Sequence, residues 1–309
     1  MFDFLFLVFS SLRDLGMENG NGGNLQQLFQ RLVAVIYDIL QRLFFMVLSV
    51  GPIPNHIAFI MDGNRRYART RKLGPGAGHK AGFSSLIRVL ECCYKMGVKY
   101  VTVYAFSIDN FKRDPCEVQS IMDLMLEKID ELLREESIVN NHGIRINFFG
   151  DLKLLSKPVR MAAEKAMAET AKNTNVVLSV CVAYTSTNEI VHAVQESCKE
   201  KLARAQVISD VNAEIRNSFG GYTKPLEEEY SITLEDLERH IYSAEIPDPD
   251  ILIRTSGETR LSNFLLWQTT FCYLHVLDAL WPDISPWWLG WVILHYQRAK
   301  PYIDKNKAL

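Results

Sequence analysis

Apolar and polar positions divide the chain at Gly51-Pro52-Ile53-Pro54, a break that no helix survives. Before it, Leu25–Val50 repeats with helical period. Leu25, Leu28, Phe29, Leu32, Val35, Ile36, Ile39, Leu43 and Met46 fall on one side; Gln27, Arg31, Asp38, Gln41 and Arg42 fall on the other. Charges interrupt the segment, so no uncharged run reaches the ~18 residues of a span. The pattern predicts an amphipathic helix, preferably lying in a membrane interface, with packing on the protein's own core or on a partner as the alternative. Ahead of it, Met1–Ser10 is apolar but too short to cross a bilayer and lacks a basic start, and Gly16–Asn24 reads as a linker.

After the break the pattern alternates. Short apolar runs at Ile57–Met61, Tyr100–Phe106, Ile144–Phe149, Val176–Ala183, Ile251–Arg254 and Phe271–Val276 predict six strands. Between them, helical patterns run over His79–Met96, from Pro115 towards Ser137, over Ser156–Lys172, from Ser186 to about Ala205, from Thr233, and over Pro286–Lys300. Asp114-Pro115-x-Glu117 and Ser186-x-x-Glu189 read as capping boxes, and Thr233-x-x-Asp236 opens one more helix. Gln206–Ser231 is polar and weakly patterned, an excursion from the scaffold. Strand and helix in alternation predict one α/β domain over residues 51–309, a six-stranded, mostly parallel sheet flanked by helices, with residues 1–50 as a membrane-associating segment.

Composition changes little. The chain has 309 residues, 48% hydrophobic and 23% charged, with a formal charge of −2, which excludes a disordered chain. Nothing global argues for a nucleic-acid partner, so any anion site must be local. Six cysteines without C-x-x-C spacing, and no Asn-x-Ser/Thr, fit reduced thiols facing the cytosol.

In a parallel sheet, ligands sit at the carboxyl ends of strands, which selects the loops Asp62–Gly78, Ser107–Asp114, Gly150–Leu155, Tyr184–Thr187 and Thr255–Asn263; three of them carry candidate chemistry. In Met61-Asp62-Gly63-Asn64-Arg65-Arg66-Tyr67-Ala68-Arg69 a carboxylate ends a strand, a glycine permits close approach, and arginines follow. Gly74, Gly76 and Gly78 then lead to His79 at a helix start. That is the composition of a diphosphate cradle, with Asp62 a natural Mg²⁺ ligand beside phosphates; a solvated basic loop is the plainer alternative. It is neither a P-loop nor a GxGxxG turn. Ser107-Ile108-Asp109-Asn110-Phe111-Lys112-Arg113 adds a hydroxyl, an amide, an aromatic face and an arginine, or simply caps the next helix. Around Gly257, Arg254, Arg260 and Ser262 suit a second polyanion, with pairing of Arg254 or Arg260 to Glu258 as the structural alternative. Leu86, Val89, Leu90, Met96 and the run Ile121–Leu132 are mostly core, with a surplus that could line a hydrocarbon tunnel.

Four of these stretches, His56–Ala68, Gly78–Gly82, Tyr104–Arg113 and Asp250–Gln268, resemble the cis-prenyltransferases in unbroken order between about Gly51 and Pro282. That family includes bacterial undecaprenyl diphosphate synthase, eukaryotic dehydrodolichyl diphosphate synthase and the rubber-forming enzymes of plants. The resemblance implies Mg²⁺-assisted addition of isopentenyl diphosphate to an allylic diphosphate such as farnesyl diphosphate, with a cis double bond made in each cycle. It implies that Asp62 holds the metal, and that Gly63, Asn64, Arg65, Arg66, Tyr67 and His79 hold the allylic diphosphate. Ser107, Asn110, Phe111 and Arg113 would position the reacting ends, and Arg254, Arg260 and Ser262 would grip isopentenyl diphosphate. His79, Asp62 or the diphosphate itself would take the departing proton, since an amide such as Asn110 is no base on its own.

Two positions depart from the bacterial pattern. Tyr273 stands where a metal-binding glutamate follows the Trp-Gln pair, and Gln297–Leu309 holds no R-x-G tail. The second departure resembles the eukaryotic, plant-like catalytic subunit, which borrows that tail from a partner related to the Nogo-B receptor at the cytosolic face of the endoplasmic reticulum. A dolichol precursor is the expected product. A rubber-type synthase and a non-catalytic scaffold subunit are the alternatives; the second would have lost Asp62 or the Arg254/Arg260 pair.

Overall fold

The sheet sets the frame. A computed structural model describes residues 24–74, 76–219 and 231–307; Met1–Ser10, Gly16–Gly23 and most of the loop around Gly220-Gly221 lie outside the described residues. In chain order, helix α1 is Asn24–Leu48, β1 His56–Ile60, α2 Asn64–Thr70, α3 Ala77–Met96, β2 Tyr100–Ser107, α4 Pro115–Leu132, α5 Ile138–His142 and β3 Ile144–Phe149. Then follow α6 Lys157–Thr170, β4 Val176–Tyr184, α7 Ser186–Phe219, α8 Leu234–His240, β5 Ile251–Arg254, β6 Tyr273–Val276 and α9 Pro286–Lys307. The strands form one six-stranded sheet in the order β3-β4-β2-β1-β5-β6. Every pairing in it is parallel, which sharpens the mostly parallel sheet expected from the alternation.

The strand period divides the interior in two. Ile57 and Phe59 of β1 join Ile251 and Ile253 in a large core beneath α3, α4, α6 and α9. Ala58, Ile60 and Leu252 point the other way, towards Tyr184, Phe264 and Leu265. Both faces are covered, so β1 is buried at all five residues. The only buried polar residue of β1, His56, is satisfied within the fold. Its Nδ1–H donates to the Pro247 carbonyl at 2.6 Å and its Nε2 accepts from the Thr102 hydroxyl at 2.8 Å.

Several expected local features come out differently. Tyr273, not Phe271, opens β6. The weakly patterned Gln206–Ser231 excursion is helical as far as Phe219, and α9 runs on through Pro301 to Lys307. Thr233 and Asp236 do form a reciprocal box. Asp114 caps α4, but Glu117 turns to Arg113 at 3.1 Å instead of to the cap. Glu189 is wholly buried and accepts from the Tyr184 hydroxyl and Gln268 instead of closing a box with Ser186. Near the charged Arg113, and within a buried hydroxyl–amide network, a carboxylate gains stronger partners than its own cap offers.

Helix α1 meets neither sequence alternative alone. It packs on α9 through Tyr37, Phe44 and Leu48: the Trp287 indole N–H donates to the Tyr37 hydroxyl at 3.2 Å, and the rings of Phe44 and Trp287 lie 4.9 Å apart. Gln297 caps its last turn by donating to the Leu48 carbonyl at 2.8 Å. A side chain on Gly290 would meet the Phe44 ring, which explains the glycine at that crossing. The stripe expected to be buried in lipid faces outward. Leu32, Val35, Ile36, Ile39, Leu43 and Met46 are all exposed, Met46 by 65%; Leu25, Leu28 and Phe29 lie outside the described side chains. Among the described residues, no helix is long and apolar enough to cross a membrane.

Burial pushes His56 down to about 4, against the pull of the Pro247 carbonyl and Asp250. An unfolded histidine titrates near 6.5, so between these values the unfolded chain binds the extra proton. Stability should therefore fall by about 3 kcal/mol as pH drops from 6.5 to 4. Urea unfolding across that range checks it, and His56→Gln should flatten the slope.

Candidate active site

Because every strand is parallel, the ends of β1, β2 and β5 open at one edge of the sheet. Between β1 and β5 the strand order reverses, the place where such sheets bind ligands. Ile60 pairs with Arg254 in register, so Asp62, two residues on, stands beside Arg254. Their side chains form an ion pair of 2.8 Å. The Thr255 hydroxyl donates to the Asp62 carbonyl at 2.6 Å and stitches the two strand ends together.

Arg254 is almost fully buried and reaches three groups. It donates to Asp62, to the Ser262 hydroxyl at 2.7 Å and to the Arg260 carbonyl. Burial pushes the Asp62 carboxyl up, but Arg254, the Gly63 N–H and the Ser256 hydroxyl together outweigh it and hold it below the ordinary carboxylate range. Arg260 pairs with Glu258, while Arg254 takes Asp62 instead, so the pairing alternative holds for one arginine of the two. Arg66 crosses from α2 to donate to the Ser256 carbonyl at 3.1 Å.

The turn after Asp62 needs glycine. Gly63 has φ +108°, and a side chain there would meet Leu280 at 2.9 Å. It caps α2, which lies so close on α3 that a Cβ on Gly78 would strike the Asn64 carbonyl. His79 follows one residue later, in the first turn of α3. Burial first, and then the Arg113 and Arg65 charges, push its imidazole below the usual value against the opposing Glu117. It is therefore neutral near pH 7. Glu117 gathers Arg65 at 3.6 Å and Arg113 at 3.1 Å on the same side. Asn110 Oδ1 accepts the Ser107 N–H at 3.2 Å, which commits the carbonyl of that amide to bracing the loop and leaves its NH₂ as the end with donors to give.

These groups rim one cavity of about 860 Å³. Asp62, Gly63, Asn64, Arg65, Arg66, His79, Ser107, Asn110, Arg113, Arg254, Arg260 and Ser262 all line it. Two expected residues do not. Tyr67 turns away and stacks under the Arg71 guanidinium, 4.4 Å from its ring centroid. Phe111 packs edge-on against Phe106 at 4.9 Å and so braces the wall from behind. The depth of the cavity is apolar: Phe83 and Leu86 of α3, Ile121, Leu124, Met125 and Ile129 of α4, and Val103, Phe148 and Leu178 of the sheet. That is the surplus foreseen on α4; Val89, Leu90 and Met122 are core. Arg69, Tyr104, Asp109 and Asn263 also line the cavity and were not singled out. All four sit inside stretches already marked: Arg69 ends the first loop, Tyr104 opens the stretch that holds Asp109, and Asn263 lies in the last.

A sequence model described as putative undecaprenyl diphosphate synthase matches residues 60–303. The chain belongs to that family. A dehydrodolichyl diphosphate synthase of Solanum lycopersicum is 54% identical over 94% of this chain and 99% of its own length. A rubber cis-polyprenyltransferase of Hevea brasiliensis is 51% identical over 87% and 92%. Lavandulyl diphosphate synthase from Lavandula x intermedia, solved with dimethylallyl diphosphate, shares the undecaprenyl diphosphate synthase fold at TM-score 0.63 and 26% identity, over 79% of this chain and 95% of that one. The chain is thus a prenyltransferase of the cis-polyprenyl type.

Removing Asp62 strands the buried Arg254 charge. Asp62→Ala should cost about 2 kcal/mol, less than a fully buried pair because the carboxylate is partly solvated. Combined with Arg254→Met the cost should fall short of the sum of the two single changes, as read by a double-mutant cycle in urea.

Proposed function

We propose that this chain condenses isopentenyl diphosphate with an allylic diphosphate, of the farnesyl diphosphate type, to make the long cis-polyprenyl diphosphate that serves as a dolichol precursor. One observation carries the reading: a rim of arginines and polar groups at the sheet edge opens directly into an apolar cavity of about 860 Å³. A diphosphate with a long hydrocarbon tail has the same two-part chemistry.

The residues divide accordingly. Asn64, Arg65, Arg66 and His79, gathered at the start of α2 and α3, face the allylic diphosphate with donors. Arg254, Arg260 and Ser262 hold the diphosphate of isopentenyl diphosphate. In the reaction the allylic C1–O bond breaks, C1 bonds to the terminal alkene carbon of the acceptor, and the acceptor's C2 loses a proton. Diphosphate leaves, and the chain is five carbons longer. Developing charge on the leaving oxygens meets preorganised guanidinium groups, and the apolar wall keeps water from the cationic carbon. Asp62 is tied to Arg254, so the neutral His79 and the departing diphosphate are the acceptors left for the proton.

A divalent ion fits this donor set in one way. Among the described residues no three carboxylate, histidine or cysteine side chains converge. Tyr273, at the position of the bacterial glutamate, sits on β6 against His275 Nδ1 at 3.3 Å and does not line the cavity. Asp62 with the diphosphate's own oxygens suits Mg²⁺, which often takes one or two carboxylates plus phosphate. When bound, Mg²⁺ neutralises charge on the leaving diphosphate.

Two surfaces support a place on the endoplasmic reticulum membrane within a heteromer. The exposed stripe of α1 suits a lipid interface while its aromatic side stays on α9. At the sheet edge, β6 leaves Leu274 and Val276 exposed beside Phe271. An open apolar edge of this kind favours a partner, and we assign it to an accessory subunit of the Nogo-B receptor type that brings an R-x-G tail.

Labelled isopentenyl diphosphate, farnesyl diphosphate and Mg²⁺ test the chemistry, with and without that subunit. Incorporation should require the subunit and fall at least about a hundredfold in Asp62→Ala, the scale of losing one electrostatic stabiliser. Products resolved by length separate the dolichol range from rubber-type polymers. Full activity of the chain alone would refute the heteromer. Flotation with phospholipid vesicles tests the membrane reading: Leu32→Ser, Ile39→Ser and Met46→Ser together should abolish co-flotation while thermal unfolding stays within a few degrees, as expected of exposed positions.

A further inference from the structure

The loop after Arg260 stands out for its backbone. Ser262, Asn263 and Leu265 have φ of +50°, +59° and +47°. Three left-handed, non-glycine residues within four positions are each unfavourable and persist only where the surroundings impose them. Asparagine is among the few side chains that tolerate this conformation.

What imposes it here is the start of α7, 76 positions earlier in the chain. A helix leaves its first N–H groups without helical partners. Asn263 takes two of them: its carbonyl accepts the Ser186 N–H at 2.8 Å and its Oδ1 accepts the Thr187 N–H at 3.1 Å. The Thr185 hydroxyl takes the next, from Asn188, at 3.3 Å. Asn263 Nδ2 then donates to the Thr187 hydroxyl at 3.0 Å, and the Leu266 N–H donates to the Ser186 hydroxyl at 2.9 Å. From the cavity side, the Tyr104 ring stacks on Phe264 at 4.5 Å, and its hydroxyl lies between the Tyr184 carbonyl, to which it donates at 3.1 Å, and the Ser262 carbonyl at 3.4 Å. The loop is held from both sides, and Ser262 is thereby held 2.7 Å from Arg254.

We propose that Asn263 is a positioning residue for the isopentenyl diphosphate half of the site: it caps α7 from outside that helix, and this cap fixes the left-handed turn that aims Ser262 and the Arg260 carbonyl at Arg254. The inference rests on the prenyl-transfer reading of the cavity. It separates the two halves of that cavity, because Asn64, Arg65 and His79 stand on α2 and α3, and none of the hydrogen bonds that clamp the loop to α7 reaches those helices.

Isopentenyl diphosphate is titrated calorimetrically into the full chain assembled with the accessory subunit, with Mg²⁺ and unreactive farnesyl thiodiphosphate present, and the farnesyl analogue is titrated separately. Asn263→Ala should weaken isopentenyl diphosphate about tenfold, the scale of one lost cap, and leave the farnesyl analogue within about twofold. Asn263→Gly keeps the left-handed freedom and guards against a misfolded alanine variant; it should show the same one-sided loss, smaller in size. Ser262→Ala with Asn263→Ala should lose less than the sum of the two single changes, since part of what Asn263 aligns is Ser262 itself. Equal loss for both ligands, or additive losses in the double variant, overturns the assignment. Wild-type chain that binds neither ligand overturns the reading of the cavity and this inference with it; wild type that binds both while Asn263→Ala and Asn263→Gly match it overturns the inference alone.

Discussion

The register of β1 against β5 is the constraint on which the site depends. Ile60 lies opposite Arg254, and a slip of one residue would turn the slipped strand's side chains to the opposite face. Ile57 and Phe59 on one face, and Ala58 and Ile60 on the other, fix that register because both faces are buried. The ion pair of Asp62 and Arg254 follows as a consequence of core packing. A buried guanidinium needs acceptors; the two terminal nitrogens of Arg254 find them in Asp62, Ser262 and the Arg260 carbonyl, while its buried Nε has no partner among the described residues. One arginine thus joins the loop that would hold the metal to the loop that would hold the second diphosphate.

The cavity follows from what the helices leave unfilled. α3 and α4 cover one face of the sheet, and the apolar residues that do not meet each other line the space between them. The rim is polar for a topological reason: parallel strands deliver all their carboxyl-end loops to one edge. Charge collects at the rim, hydrocarbon lines the depth, and no separate domain is needed to join the two chemistries.

Helix α1 shows how tertiary contacts reassign a pattern. Periodicity gathers its apolar residues into one stripe, yet α1 has two apolar sides. The aromatic side, with Tyr37 and Phe44, is wide and flat enough to dock on Trp287 and Gly290. The aliphatic side is left outward. Periodicity counts apolar positions; it does not choose which of two apolar faces has the better mate.

Six strands, their alternation with helices, the break at residues 51–54 and nearly every residue of the cavity rim were legible in the sequence, because strand ends, glycines and clustered arginines are local signals. So was the family, since its four motifs are contiguous. Contacts between distant segments were not. Glu189 reads in sequence as the acid of a capping box, yet is buried against Gln268, 79 residues on. Tyr67 and Phe111 fall inside motifs and still face away from the cavity, because α2 and the turn after β2 rotate successive side chains to different sides. Asn263 reads as one more polar residue in a motif until the start of α7 is placed beside it. The sequence by itself determined the elements and the chemical groups at their ends, since those depend on neighbours a few residues apart. Only the tertiary structure decided which groups meet, which carboxylate Arg254 takes and which helix Asn263 caps, because those choices depend on packing across the whole sheet.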